Sequence, residues 1–140
     1  TIVIGQITKN VSEQEALKHV WGFTIANDVT ARDLQASDDQ WARSKAFDTF
    51  CPIGPWIETE FLPDGQILES RIDGETKQQA SIDLMIHNVP KLISYVSQNM
   101  TLLPGDVILT GTPAGITKIQ SGEIVECEIE GIGTLLNPVL

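Results

Sequence analysis

Val20-Trp21-Gly22-Phe23-Thr24-Ile25-Ala26-Asn27-Asp28-Val29 is the stretch from which the rest of the chain is best read. It is β-branched and aromatic until it reaches Asn27 and Asp28, the pattern of a strand that turns polar at its end. Upstream, Thr1-Ile2-Val3-Ile4-Gly5 has the same apolar character and reads as the middle or end of a buried strand. Thr1 is not a start methionine, so the chain is expected to begin inside a larger protein. Between these strands, Ser12-Glu13-Gln14-Glu15 has the form of a capping box, in which hydroxyl and carboxylate satisfy each other's backbone N–H groups. A short helix ending near His19 is predicted from it.

Downstream, residues 30–50 mix charges of both signs with Trp41, Phe47 and Phe50 and hold no sustained period. That predicts a helical turn followed by a long ordered loop, and long loops inside compact domains are often functional. Residues 51–57 read as a strand interrupted by Pro52, Gly54 and Pro55, hence an edge or bulged strand. Asp73-Gly74 between residues 69–72 and 75–78 is the signature of a two-residue hairpin. Asn88 and Pro90 open the clearest helix, in which Val89, Leu92, Ile93, Val96 and Met100 recur at helical spacing. Residues 106–110 and 124–129 read as further strands, the second alternating as Val125-Glu126-Cys127-Glu128-Ile129 with one wet face. The outcome is a single α+β domain over residues 1–140, mostly β, with two short helices and mainly antiparallel strands.

Composition narrows the function. The 140 residues carry 9 Lys+Arg against 19 Asp+Glu, a formal net charge of −10 that repels phosphate backbones and anionic membrane surfaces. Nucleic acid is therefore not an expected partner. No apolar run approaches the roughly 20 residues of a membrane span, and no basic stretch leads into an apolar one at the start, so a cytoplasmic protein is expected. A domain of this size buries enough apolar surface to need neither disulfides nor structural zinc. Cys51 and Cys127 stand alone, and no nucleophile signature surrounds either. Trp21, Trp41 and Trp56 are expected in the core, His19 and His87 at helix ends.

Three places could carry chemistry. Asp28 closes an apolar strand, and Arg32 and Gln35 follow on one face of a helical turn. Such an acid could hold a hard cation while the guanidinium forks onto a ligand carboxylate; an Asp28–Arg32 ion pair at the helix start accounts for the same spacing. Arg32, Arg43 and Lys45 gather three of the nine cations within fourteen residues, which suits an anion. Asp33, Asp38, Asp39 and Asp48 lie among them, so a solvated mixed-charge loop is the competing reading. A desolvated Lys45 could donate a proton or stabilise an enolate. In Thr110-Gly111-Thr112-Pro113-Ala114-Gly115 the glycines would let backbone approach a ligand and Thr112 could offer its hydroxyl, or the segment is a plain turn. It lacks the Walker lysine and a GxGxxG pattern, so it does not point to nucleotides.

Three ordered blocks, residues 22–35, 45–52 and 103–115, closely resemble the fumarylacetoacetate hydrolase family, and the resemblance extends over essentially the whole chain. It implies a mixed β-roll, a homodimer and a site for Mg²⁺ or Mn²⁺ built from a Glu-x-Glu pair and a later Asp. It also implies a small 2-oxo (di)carboxylate substrate that is hydrolysed, decarboxylated or tautomerised through a metal-stabilised enolate. By the same resemblance Asp28 corresponds to the third metal ligand, Arg32 and Gln35 to substrate contacts, Lys45 to the catalytic lysine and Thr112 to a contact on the substrate carboxylate. The family's Glu-x-Glu pair and its His/Glu pair precede the strand that opens this chain. The expectation is thus the C-terminal, major part of a divalent-metal-dependent enzyme. The alternative is a non-catalytic structural or binding module with the same fold.

Overall fold

The computed structural model describes all residues, Thr1–Leu140. Strand β1 (Ile2–Ile4) is buried throughout because it lies between two neighbours, β2 (Val20–Ala26) and β6 (Val107–Ile108). With β3 (Ile53–Glu58) on the outer side of β2, these strands form an antiparallel sheet in the order β3-β2-β1-β6. The interrupted strand is therefore an edge strand, as its prolines require. A second antiparallel sheet has the order β5-β4-β7-β8, from β4 (Ile67–Ile72), β5 (Glu75–Ser81), β7 (Ile124–Ile129) and β8 (Gly133–Pro138).

One apolar cluster joins the two sheets. Ile2, Ile4, Phe23 and Ile25 enter it from the first sheet, and Ile129 and Leu135 from the second. Helix α4 (Val89–Asn99) adds Val89 and Ile93, and α1 (Glu13–Ala16) adds Ala16. Asn88 caps α4 by accepting a hydrogen bond from the Lys91 N–H at 3.0 Å, and Pro90 stands in its first turn, where a missing N–H costs nothing. The hairpin turns at Asp73 (φ 49°) and Gly74 (φ 80°), as a primed two-residue turn demands. Asp73 also accepts a hydrogen bond from the Ile124 N–H at 2.8 Å, which stitches the hairpin to β7. The wet face of β7 is a charge network: Arg71 on β4 meets Glu126 and Glu128 on β7 and Glu69 on its own strand.

The structure departs locally from what the sequence predicts. Ser12 makes no side-chain cap; the Glu15 N–H bonds its backbone carbonyl, the Glu15 carboxylate takes Lys18, and the helix tightens into a 3₁₀ turn over Leu17–His19. In residues 30–50 the expected helical turn is α2 (Arg32–Ser37), and a second short helix, α3 (Ala42–Lys45), stands where a loop was expected. Strand β8 was not anticipated, since Gly133 and Pro138 at its ends resemble turn residues. The three tryptophans are all more than half exposed, because the core is filled by aliphatic residues and Phe23.

Gly22 lets β3 close on β2. A Cβ there would lie 2.7 Å from both the Glu58 carbonyl oxygen and Ile57 Cγ2. Gly22→Ala is expected to lower stability by about 1–3 kcal/mol through overpacking, measured by urea denaturation; an unchanged midpoint would show that the edge strand gives way freely.

Candidate functional site

The end of β2 and the end of α3 are brought together by backbone bonds. The Asn27 N–H donates to the Pro52 carbonyl at 3.1 Å, and the Ala31 N–H donates to the Ser44 carbonyl at 3.0 Å. Ser44 is fully buried and donates its hydroxyl to the Trp41 carbonyl at 2.7 Å, which anchors α3. Lys45, the next residue, therefore points its ammonium at Asp28, and the two form an ion pair seventeen positions apart in sequence. Asp28 is thus paired with Lys45. Arg32 instead donates from Nη1 to Gln35 Oε1 at 2.7 Å, the one-face arrangement expected of their spacing.

Beyond Lys45 the chain is tightly wound. Phe47 and Phe50 pack with ring centroids 5.4 Å apart, and Thr49 (φ 69°) and Cys51 (φ 59°) both occupy the left-handed region. A β-branched residue there is an outlier of the kind that clusters at functional sites. Burial pushes the Cys51 thiol up from its ordinary pKa; the Asp28 carboxylate adds to the rise and the Lys45 ammonium opposes it.

Across from this corner lies the loop after β6. The side-chain amide of Gln78 on β5 donates to Thr112 Oγ1 at 2.8 Å and to the Pro113 carbonyl at 2.7 Å. The loop presses so closely on β5 that a Cβ at Gly115 (φ 104°) would sit 2.1 Å from the Lys77 carbonyl oxygen. Only glycine meets both requirements.

Asp28, Arg32, Lys45 and Thr112 all line one cleft of about 700 Å³ that opens between the sheets. Gln35 stands beside it and holds Arg32. Phe61, Leu68, Met85 and Ile129 supply apolar wall, and Cys127, whose thiol burial pushes up, lies among them. The cationic lining is Arg32, Lys45, Lys77 and Lys118, four of the chain's nine Lys and Arg, against the lining carboxylates Asp28 and Asp33; Lys45 pairs with Asp28 and Lys77 with Glu75. In a chain of net charge −10 this cleft suits an anion. The cleft mouth also carries residues that local reading missed: Gln78, Lys77 and Lys118. Nothing adjacent in sequence singles them out, because pairing of β4 with β5 and the return of the 110–120 segment bring them there.

A divalent cation fits this chain only in part. Asp28 offers one hard oxygen donor, but no three His, Cys, Asp or Glu side chains converge anywhere in the 140 residues. A complete site would take further donors from outside them.

The profile described as "Fumarylacetoacetate (FAA) hydrolase C-terminal" matches residues 1–140. A solved structure of 5-carboxymethyl-2-hydroxymuconate delta-isomerase from Mycobacterium smegmatis superposes with a TM-score of 0.98 at 48% identity, covering 99% of this chain and 55% of that one. A 2-hydroxyhepta-2,4-diene-1,7-dioate isomerase from Mycobacterium marinum gives 0.97 at 53% identity, with 99% and 55% covered. A mitochondrial oxaloacetate tautomerase of Xenopus laevis is 39% identical over 150 residues, 99% of this chain and 47% of that protein. The chain spans about half the length of the curated relatives it matches.

Gly115→Ala is expected to lift the loop off β5, raising hydrogen exchange at the amides of residues 111–115 while the core strands keep their protection. Unchanged exchange at those amides would show that the contact does not hold the loop.

Proposed function

The chain belongs to the fumarylacetoacetate hydrolase family, and from that premise we propose that the protein containing it is an enzyme acting on a small 2-oxo mono- or dicarboxylate bound in the cleft between the sheets. The observation that carries this reading is that Arg32, Thr112 and the Lys45–Asp28 pair all line one cleft of an otherwise acidic chain. Arg32 spends one N–H on Gln35 and keeps others for a two-pronged contact with a carboxylate. Thr112 faces the same anion from the opposite loop. Lys45, held against Asp28, would deliver or withdraw a proton at the carbon or oxygen of an enol beside that carboxylate.

Among hydrolysis, decarboxylation and tautomerisation, we favour proton transfer between keto and enol forms, or double-bond isomerisation. Three relatives are named for isomerase or tautomerase activity, and a lysine able to shuttle a proton is what such chemistry asks of this chain. We assign Asp28 as this chain's donor to Mg²⁺ or Mn²⁺, with the remaining oxygen donors supplied from outside the 140 residues; what such an ion supplies when bound is Lewis acidity toward a 2-oxo acid.

In the full-length protein, Lys45→Ala is expected to abolish turnover of oxaloacetate while Mn²⁺ affinity, read by calorimetric titration, stays near the parent value. Turnover within a few-fold of wild type would remove Lys45 from the reaction. Arg32→Lys is expected to raise KM by about tenfold or more with kcat less affected, since an ammonium cannot reproduce the planar fork. Steady-state kinetics with unchanged KM and kcat/KM would make Arg32 structural.

A further inference from the structure

Gln78 is a neutral, half-buried residue on a strand, and nothing so far gives it a part in the chemistry. Its hydrogen bonds nevertheless leave no freedom. The Pro113 carbonyl can only accept, so the atom 2.7 Å from it must be the amide nitrogen. The amide oxygen then faces Ser70, whose hydroxyl donates to it at 3.0 Å. With the amide fixed, its nitrogen also donates to Thr112 Oγ1 at 2.8 Å. A hydroxyl that accepts on one side has its own proton free for the other side. Thr112 lines the cleft, as do Arg32 and Lys45, so that proton is available to a ligand there.

We infer that Gln78 is a positioning residue: anchored by Ser70 and Pro113, it fixes the polarity of the Thr112 hydroxyl so that this group presents a proton to an anion in the cleft. A free threonine hydroxyl rotates and can offer either a proton or a lone pair. Offered to a carboxylate, the lone pair repels and the proton binds. Gln78 occupies one lone pair before the ligand arrives and so narrows the choice, and less orientation has to be lost on binding. Its lever is its donor character. Replacing the amide with a carboxylate of the same shape turns a donor into an acceptor. The Thr112 proton then swings back to residue 78, the lone pairs face the cleft, and a negative charge is added nearby.

The inference rests on the proposed binding of a 2-oxo acid and is tested so that the two can fail separately. In the full-length protein, oxalate is titrated by calorimetry and oxaloacetate turnover is followed in wild type, Gln78→Glu, Gln78→Leu, Thr112→Val and the paired variants. A hydrogen bond to a charged group and its inversion correspond to about ten- to a hundredfold in affinity. Gln78→Glu should raise the oxalate Kd and the oxaloacetate KM by that factor, with kcat much less changed, since Thr112 meets the non-reacting carboxylate. Gln78→Leu, which frees the Thr112 hydroxyl and the Pro113 carbonyl without adding a charge, should raise them less. In the Thr112→Val background neither change should matter further, because the group through which Gln78 acts is gone. If Gln78→Glu fails to fold, the Gln78→Leu and Thr112→Val cycle decides alone. Unchanged Kd and KM in a wild-type-like fold, or losses that simply add to those of Thr112→Val, would overturn the role of Gln78 while leaving the functional reading intact. A wild type that neither binds oxalate nor turns over oxaloacetate would overturn both.

Discussion

The Asp28 side of the site hangs from the apolar packing that pins β2. Phe23 and Ile25 are locked into the cluster shared by the two sheets, and Gly22 allows β3 to lie close on the other side. A strand held this way has no freedom at its last residue, so the polar run that follows it leaves in one direction. Asp28 is two residues past that end. Its position is therefore set by hydrophobic burial some distance away, which is how a half-exposed carboxylate acquires a fixed place without being buried itself. The same logic acts on Lys45, whose neighbour Ser44 is buried and hydrogen-bonded. A functional ion pair between two flexible surface side chains would be weakly ordered; an ion pair between the ends of two anchored elements is held by what anchors them.

The opposite wall of the cleft is organised by a different principle. The loop that carries Thr112 has no apolar anchor of its own, and it is fastened to β5 by the Gln78 amide and by a backbone approach that only Gly115 allows. One wall is placed by packing and the other by polar contacts. A site between them is held on the Lys45 side by packing and on the Thr112 side by directed hydrogen bonds.

Much of this was legible in the sequence, for identifiable reasons. The strand over residues 20–26, the Asp73-Gly74 hairpin, the Asn88 cap and the edge character of residues 53–58 all depend on local rules of periodicity, turn geometry and proline chemistry. Asp28 stood out as a strand end, Arg32 and Lys45 as clustered cations and Thr112 as a hydroxyl in a glycine-rich segment, and the structure brings all four to one cleft. What could not be read was long-range. The partner of Asp28 is Lys45 rather than Arg32 because α3 is docked by Ser44, a residue with no local mark. Gln78 reaches Thr112 across 34 positions, and no period in either segment predicts it. The tryptophans failed the expectation of burial because aliphatic side chains already filled the core, so large size alone did not decide their place.

The central claim is that the wall built by Asp28, Lys45 and Arg32 and the loop carrying Thr112 grip one carboxylate-bearing ligand between them. A crystal structure of the full-length protein with oxalate tests it most directly. The account predicts a carboxylate of oxalate held between the Arg32 guanidinium and Thr112 Oγ1, with Lys45 Nζ within hydrogen-bonding reach of the ligand. Oxalate bound clear of Arg32 and Thr112, with Lys45 contacting Asp28 alone, would contradict it.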